Sequence, residues 1–200
     1  MRIDAAYFAQ GVTYEAFKAS MTRNREELEE NERAVTLDPA DLAAFRALPR
    51  PLHVVAVAED WCGDVVANLP VLARLAAASG NLDVRVFERS KHPELVARYM
   101  KEGKFESIPV FVFFDEAFRE VGVWIERPAS VTARRAERRL AIYASDPAFG
   151  SPDAPPADLP DEVRERLLAA LVQMRAELKP WAEREVTREL RELAQRTVAA

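Results

Sequence analysis

Cys62 is the residue in this chain best placed to do chemistry, and Val65 is the residue that limits it. The two sit in Trp61-Cys62-Gly63-Asp64-Val65. An apolar run, Leu52-His53-Val54-Val55-Ala56-Val57-Ala58, leads into this stretch, and a helical pattern from Val66 to Leu75 follows it. A cysteine where a strand turns into a helix meets free backbone N–H groups and the positive end of the helix dipole, which favour thiolate over thiol. The acidic neighbours Glu59, Asp60 and Asp64 act the other way, by like-charge repulsion, and no Lys, Arg or His adjoins Cys62 in sequence. The helix N-terminus predicts that Cys62 alkylates faster at neutral pH than a free thiol. The alternative is a leftover cysteine on a scaffold that has lost its redox role. Dithiol exchange needs a second thiol three residues on, where Val65 stands, and Cys62 is the only cysteine in the chain. A mixed disulfide at Cys62 therefore has no way out from within the chain and needs an outside thiol, from a small molecule or from another protein.

Other chemistries find little support. There are two histidines, and His53, in an apolar strand, reads as a satisfied core residue. One cysteine gives no metal-ligand spacing, so no metal is expected. Six glycines form no phosphate loop. Arg134, Arg135, Arg138 and Arg139 alternate with Glu137 and read as an ion-paired surface. A net charge of −5 speaks against nucleic acid as a partner. No apolar stretch reaches membrane-span length and no signal-peptide core is visible, so no membrane partner is expected. A lone cysteine excludes an intrachain disulfide and suits a reducing cytoplasm.

The elements that must position Cys62 are legible in outline. The chain has 200 residues, 49% of them apolar, enough for a substantial core. Residues 1–50 read as helices: Tyr14, Phe17, Met21 and Leu28 share a face, Thr13 caps one helix, and Asp38-Pro39-Ala40-Asp41 starts another. The run at 52–58 lacks polar alternation and suits a strand covered on both faces. A helix over 62–79, a strand over 82–87 and a helix over 93–102 give an order expected for parallel pairing. Strands at 110–114 and 118–124 flank Asp115-Glu116 as a hairpin would. A basic helix over 130–144 is followed by a Pro-rich linker over 146–160. Two helices, 161–178 and 181–198, divided at Lys179-Pro180, close the chain, the first with a stripe of Leu167, Leu168, Leu171 and Met174. This tail packs either on its own domain or on a second copy.

Trp61-Cys62-Gly63, Pro70 eight residues after the cysteine, and Ser107-Ile108-Pro109 before Val110-Phe111-Val112-Phe113-Phe114 together resemble the thioredoxin superfamily. The longer strings Ala58-Glu59-Asp60-Trp61-Cys62-Gly63-Asp64 and Trp124-Ile125-Glu126-Arg127-Pro128 are similar to a bacterial thioredoxin-like group, many of whose members carry Trp-Cys-Gly-Asp-Cys. The resemblance covers residues 1–145. It implies an α/β thioredoxin-like fold with a mixed, mostly parallel central sheet between helices. Helical extensions lie at both ends: 1–50, a core over 51–145, the linker over 146–160, and 161–200. It also implies a cis bond before Pro109, with the Ile108 backbone pairing strand to strand with an extended substrate. Cys62 would be catalytic, and Trp61, Gly63, Asp64, Ile108 and Pro109 substrate-binding. Asp64 could cap the helix, Asn68 could offer a polar contact near Cys62, and Trp124, Arg127 and Pro128 read as structural. The family's buried Asp, six residues before the first cysteine, is Ala56 here, so the proton relay that serves the second thiol is missing along with that thiol.

The activity so implied is monothiol disulfide exchange at Cys62, resolved by an external thiol. Its partners would be protein disulfides or extended peptide segments, with a low-molecular-weight thiol as co-substrate and no other cofactor. The protein would be monomer or homodimer. One alternative is a non-redox peptide-binding module. Another is a small-thiol-binding enzyme in the manner of glutathione transferases, for which the helical tail is short.

Overall fold

The computed structural model describes residues 1–196. The apolar run before Cys62 forms β1, Leu52–Ala58, buried along almost its whole length. With β2 (Leu82–Glu88), β3 (Val110–Phe114) and β4 (Glu120–Ile125) it makes one sheet in the order β2-β1-β3-β4. β1 pairs parallel with β2, while β1–β3 and β3–β4 are antiparallel. The sheet is mixed, but only one of its pairings is parallel, so the mostly parallel expectation is corrected. A helical crossover returns the chain to lay β2 along β1, whereas a tight turn reverses it between β3 and β4.

That turn is longer than Asp115-Glu116. The Asp115 carboxylate accepts from the N–H groups of Ala117 and Arg119, each at 2.9 Å, and Phe118 adopts φ 57°. Phe118 thus belongs to the turn, and β4 begins at Glu120. Short helices α1 (Ala5–Phe8), α2 (Tyr14–Ser20), α3 (Arg25–Ala34) and α4 (Pro39–Arg46) precede β1. Thr13 caps α2 and Asp38 caps α4, with Pro39 in the first turn. Phe8, Tyr14, Phe17, Met21, Leu28 and Phe45 enter the same core as the sheet. Between α1 and α2, Val12 makes a single antiparallel bridge to Val86 on the free edge of β2. Gly11 permits this approach, since a Cβ there would lie 2.5 Å from the Phe87 ring and 2.7 Å from Arg85 Cβ.

Helix α5, Gly63–Ser79, crosses from β1 to β2 and stops where Gly80 takes φ 71°. It contains Pro70, which has no N–H to give to the carbonyl four residues back. That carbonyl belongs to the fully buried Val66 and would be left without its helical donor. Asn31 of α3 supplies one: its Nδ2 donates to Val66 O at 2.9 Å. Helix α6 is shorter than the pattern over 93–102 suggests and covers Pro93–Arg98. Glu102 and Gly103 both take positive φ, and Lys101 and Phe105 exchange backbone hydrogen bonds across them, so a tight turn replaces the last helical turn.

The chain divides into two compact units, Met1–Arg127 with residues from Val186 onward, and Pro128–Glu185. The second unit holds α7 (Ala129–Ser145) and much of α8 (Asp161–Gln195). Its small core joins Tyr143, Phe149 and Leu167. Arg138 pairs with Glu177 at 2.7 Å, Arg166 pairs with Asp146, and Arg134 lies over the Trp181 ring. α8 is one helix, not two. Pro180 removes one N–H, but the helix continues, with Met174 buried before the proline and Ala182 after it. Leu168, expected in the buried stripe, is exposed. In the first unit the end of α8 packs in cis: Val186, Leu190 and Leu193 join the main core, and Arg191 pairs with the buried Asp41. The expected end of this helix at 198 falls partly on residues 197–200, outside the described residues.

Asn31→Ala should cost about 1–3 kcal/mol, the penalty of a buried carbonyl left unpaired. In a Pro70→Ala background the new amide at position 70 can reach Val66 O, so the same change should cost less. Urea unfolding of the four proteins measures this coupling. Equal costs in both backgrounds would mean that Asn31 does not substitute for the missing amide.

Candidate functional site

Cys62 occupies the cap position of α5, with extended backbone at φ −88° and ψ 116°. The turn before it is tied down on both sides. The Glu59 carboxylate accepts from the Ser90 N–H at 2.7 Å. The Asp60 carboxylate accepts from Thr22 N–H, Thr22 hydroxyl and Arg23 N–H, and Asn24 donates to the Asp60 carbonyl. Burial alone would raise the Asp60 pKa; those donors together outweigh it and hold the carboxyl below its ordinary value. Two of the three carboxylates near Cys62 in sequence are thus turned to backbone donors.

The Ile108–Pro109 peptide is cis, and the Cys62 thiol donates to the Ile108 carbonyl with Sγ at 3.5 Å. The catalytic candidate Cys62 and the candidates Ile108 and Pro109 therefore meet, although 46 residues separate Cys62 from Ile108. Trp61 stands beside the thiol, 48% exposed, with the Arg89 guanidinium 5.9 Å above its ring. Arg89 also pairs with Glu106 at 2.5 Å. Gly63 faces open space, with nothing within 4 Å of a Cβ built on it. Val65 and Ala56 are fully buried.

Asp64 is held by Arg127, whose Nη2 lies 2.7 Å from its carboxylate. The same nitrogen pairs with Glu126, and Glu126 pairs with Lys101 at 2.6 Å. Burial tends to raise the Glu126 pKa, but the Lys101 hydrogen bond and the charges of Arg127 and Lys101 hold it below the usual carboxylate range. The Glu126 backbone is a joint: at φ 65° its N–H donates to Pro109 O at 2.7 Å and its carbonyl accepts from Asn68 Nδ2 at 2.8 Å. Asn68 is buried and clamps α5 to the end of β4, so the expectation of a polar contact near the thiol is corrected. Arg127 was legible only as part of a motif, because its partner Asp64 lies far away in sequence. Trp124 is buried, stacks on Phe111 at 5.0 Å and donates its indole N–H to Glu189. Pro128 begins the second unit, at the cap of α7. His53 is less satisfied than expected: its ring stacks on Phe118 at 4.5 Å, but among the described residues Nδ1 has no hydrogen bond, only the Asp83 carboxylate at 3.7 Å.

Burial pushes the Cys62 thiol up. The N–H groups of Val65 and Asp64 at the helix start pull it down, the Asp64 charge raises it, and the Arg127 charge lowers it. Burial prevails. The direction is opposite to the one the helix end alone would give, and its largest cause is desolvation rather than the carboxylates. Among the described residues no group of His, Cys, Asp and Glu could hold a metal ion. None of the described helices is long and apolar enough to cross a membrane.

A family profile described as thioredoxin matches residues 11–139. Among solved structures, a protein of unknown function from Pseudomonas aeruginosa is similar at 17% identity, over 88% of this chain and 99% of its own, with TM-score 0.59. An HIV epitope-scaffold is similar at 16% identity over 99% of both chains, with TM-score 0.60. At such identities the likeness shows the fold alone. No curated protein matches the chain.

A raised thiol pKa leaves less thiolate at any given pH. Iodoacetamide should therefore alkylate Cys62 more slowly than free cysteine at pH 7. The rate should climb with pH and level off only above the free-thiol midpoint of about 8.5. A midpoint at or below that of free cysteine would show that the two amides of α5 outweigh burial.

Proposed function

Because the chain belongs to the thioredoxin family, we propose that it exchanges disulfides through a single thiol, Cys62, and relies on an external thiol for release. The observation that carries this reading is the Cys62 sulfur at a helix start, half-buried, 3.5 Å from the carbonyl of the Ile108–Pro109 segment. A disulfide lying along that segment would present its sulfur to Cys62. Once deprotonated, the thiolate is received by the Val65 and Asp64 amides. It attacks one sulfur of the substrate disulfide. A bond forms between Cys62 and that sulfur, the original S–S bond breaks, and the departing sulfur leaves as thiolate with the electron pair. A second thiolate, from a small molecule or a protein cysteine, then attacks the mixed disulfide and restores Cys62. Electrons are conserved throughout, and the external thiol ends in the new disulfide. Val65 offers no thiol to close the intermediate internally, and Ala56 offers no acid to relay a proton to one.

A second reading has its own support. Cys62 is kept largely as thiol near neutrality, and the Ile108 N–H donates to no group among the described residues. A thioredoxin-fold module that pairs with an extended peptide at Ile108 and Pro109, with Trp61 as a flat apolar contact, needs no more than this.

Incubation with glutathione disulfide should add one glutathionyl group at Cys62, read by mass spectrometry. Excess glutathione should remove it, and Cys62→Ser should abolish it. Insulin reduction should be weak in the wild type. It should rise in Val65→Cys, where a thiol one helical turn from Cys62 can close the intermediate. No adduct at any pH would hand the site to the peptide-binding reading. Insulin turnover by the wild type at a dithiol rate would refute external resolution.

A further inference from the structure

The exchange reading leaves one question: which charge at the site answers the negative charge that the reaction creates. Glu59 is engaged by the Ser90 N–H, and Asp60 by Thr22 and Arg23. Arg89 is committed to Glu106 and the Trp61 ring. Lys101 is spent on Glu126. Asp64 lies two residues from Cys62 in the first turn of α5, and its charge opposes a thiolate. Arg127 meets Asp64 at 2.7 Å, with both side chains about four-fifths buried. Screening by salt is weak there, so the sign of each charge is felt at the thiol.

Arg127 is also held with unusual care. Its neighbour Glu126 hydrogen-bonds through its backbone to Pro109 O and to Asn68, which ties Arg127 to both arms of the site, the cis-proline segment and α5. The Glu126 carboxylate, locked by Lys101, pairs with the same Arg127 nitrogen that pairs with Asp64. The Arg127 Nε is buried and has no hydrogen-bond partner among the described residues. Two carboxylates thus share one nitrogen of the guanidinium.

We propose that Arg127 is a positioning residue for Cys62: by holding the Asp64 carboxylate to itself it keeps that charge off the sulfur and sets how readily Cys62 exchanges. The proposal rests on the exchange reading above for its meaning, but its electrostatic content is measurable separately. Loss of Arg127 removes a positive charge from beside Asp64 and the forming thiolate. Loss of Asp64 leaves Arg127 paired with Glu126, removes a negative charge from the first turn of α5 and favours the thiolate. The two changes act in opposite directions on one thiol, which a purely structural role would not produce.

The test is the pH profile of Cys62 alkylation by iodoacetamide in wild type, Arg127→Gln, Arg127→Lys and Asp64→Asn, with the exchange rate toward glutathione disulfide measured in parallel. Arg127→Gln should move the profile to higher pH and slow alkylation at pH 7 about two- to tenfold. Arg127→Lys should recover most of the loss, and Asp64→Asn should move the profile to lower pH. An unmoved profile in a folded Arg127→Gln protein overturns the proposal, as does an Asp64→Asn shift in the same direction. Should Arg127→Gln fail to fold, the sign of the Asp64→Asn shift decides. Opposite shifts in a protein that forms no glutathione adduct would sink the exchange reading and uphold the charge assignment. Exchange with unmoved profiles would do the reverse.

Discussion

A proline in the middle of α5 takes away a donor, and an asparagine from another helix puts one back. The bond from Asn31 to Val66 O is small in itself, yet it ties together two helices that pack against each other. It requires α3 to lie against α5, which fixes how the N-terminal helices enter the core. Those helices are then close enough for Thr22 and Arg23 to grip Asp60, in the turn that delivers the chain to Cys62. The N-terminal segment is therefore part of the apparatus that holds the thiol rather than an appendage to the sheet. Its own core residues, Phe17 and Leu28 among them, are buried with those of β1.

On the far side of the thiol, the end of β4 does comparable service. Glu126 adopts a left-handed backbone that a non-glycine residue takes up only when its surroundings insist. Here the insistence comes from two backbone bonds and two cations. The result is a half-buried cysteine packed against the main core, with its sequence-neighbour carboxylates engaged by backbone N–H groups or by Arg127. Its reactivity is a contest between desolvation and two amides, with the opposed charges of Asp64 and Arg127 as smaller influences. A second thiol and a buried acid would change that contest, and both are missing together.

The backbone plan was readable because local signals agreed with tertiary structure. The run at 52–58, with little polar alternation, suited a strand covered on both faces, Asp38-Pro39 looked like a helix start, and Gly80 marked the end of α5. The misreadings came where a distant contact or a backbone conformation decided the matter. Asp115 drew two extra residues into the β3–β4 turn through its side chain. Glu102 and Gly103 unwound the end of α6. Pro180 did not break α8. At the site, Cys62 and Pro109 carried their own motifs, whereas the partners of Asp64 and Asn68 lie about sixty residues downstream and no spacing rule could pair them. The depth of the sulfur, which governs its acidity, depends on what packs over the turn, and sequence neighbours say nothing of that.

The bridge between Val12 and Val86 bears on how this protein behaves in a crowd. An open strand edge is a template on which another chain can add a strand, and β2 is the outer strand on its side of the sheet. Val12 occupies part of that template with two backbone bonds, at 2.8 Å and 3.0 Å. It does so only because Gly11 lets the chain come within touching distance of Phe87. Any side chain at position 11 would lift this one-residue latch. The harm would then show less in the chemistry of the thiol than in solubility, as exposed edges find one another and molecules that fold correctly begin to polymerise.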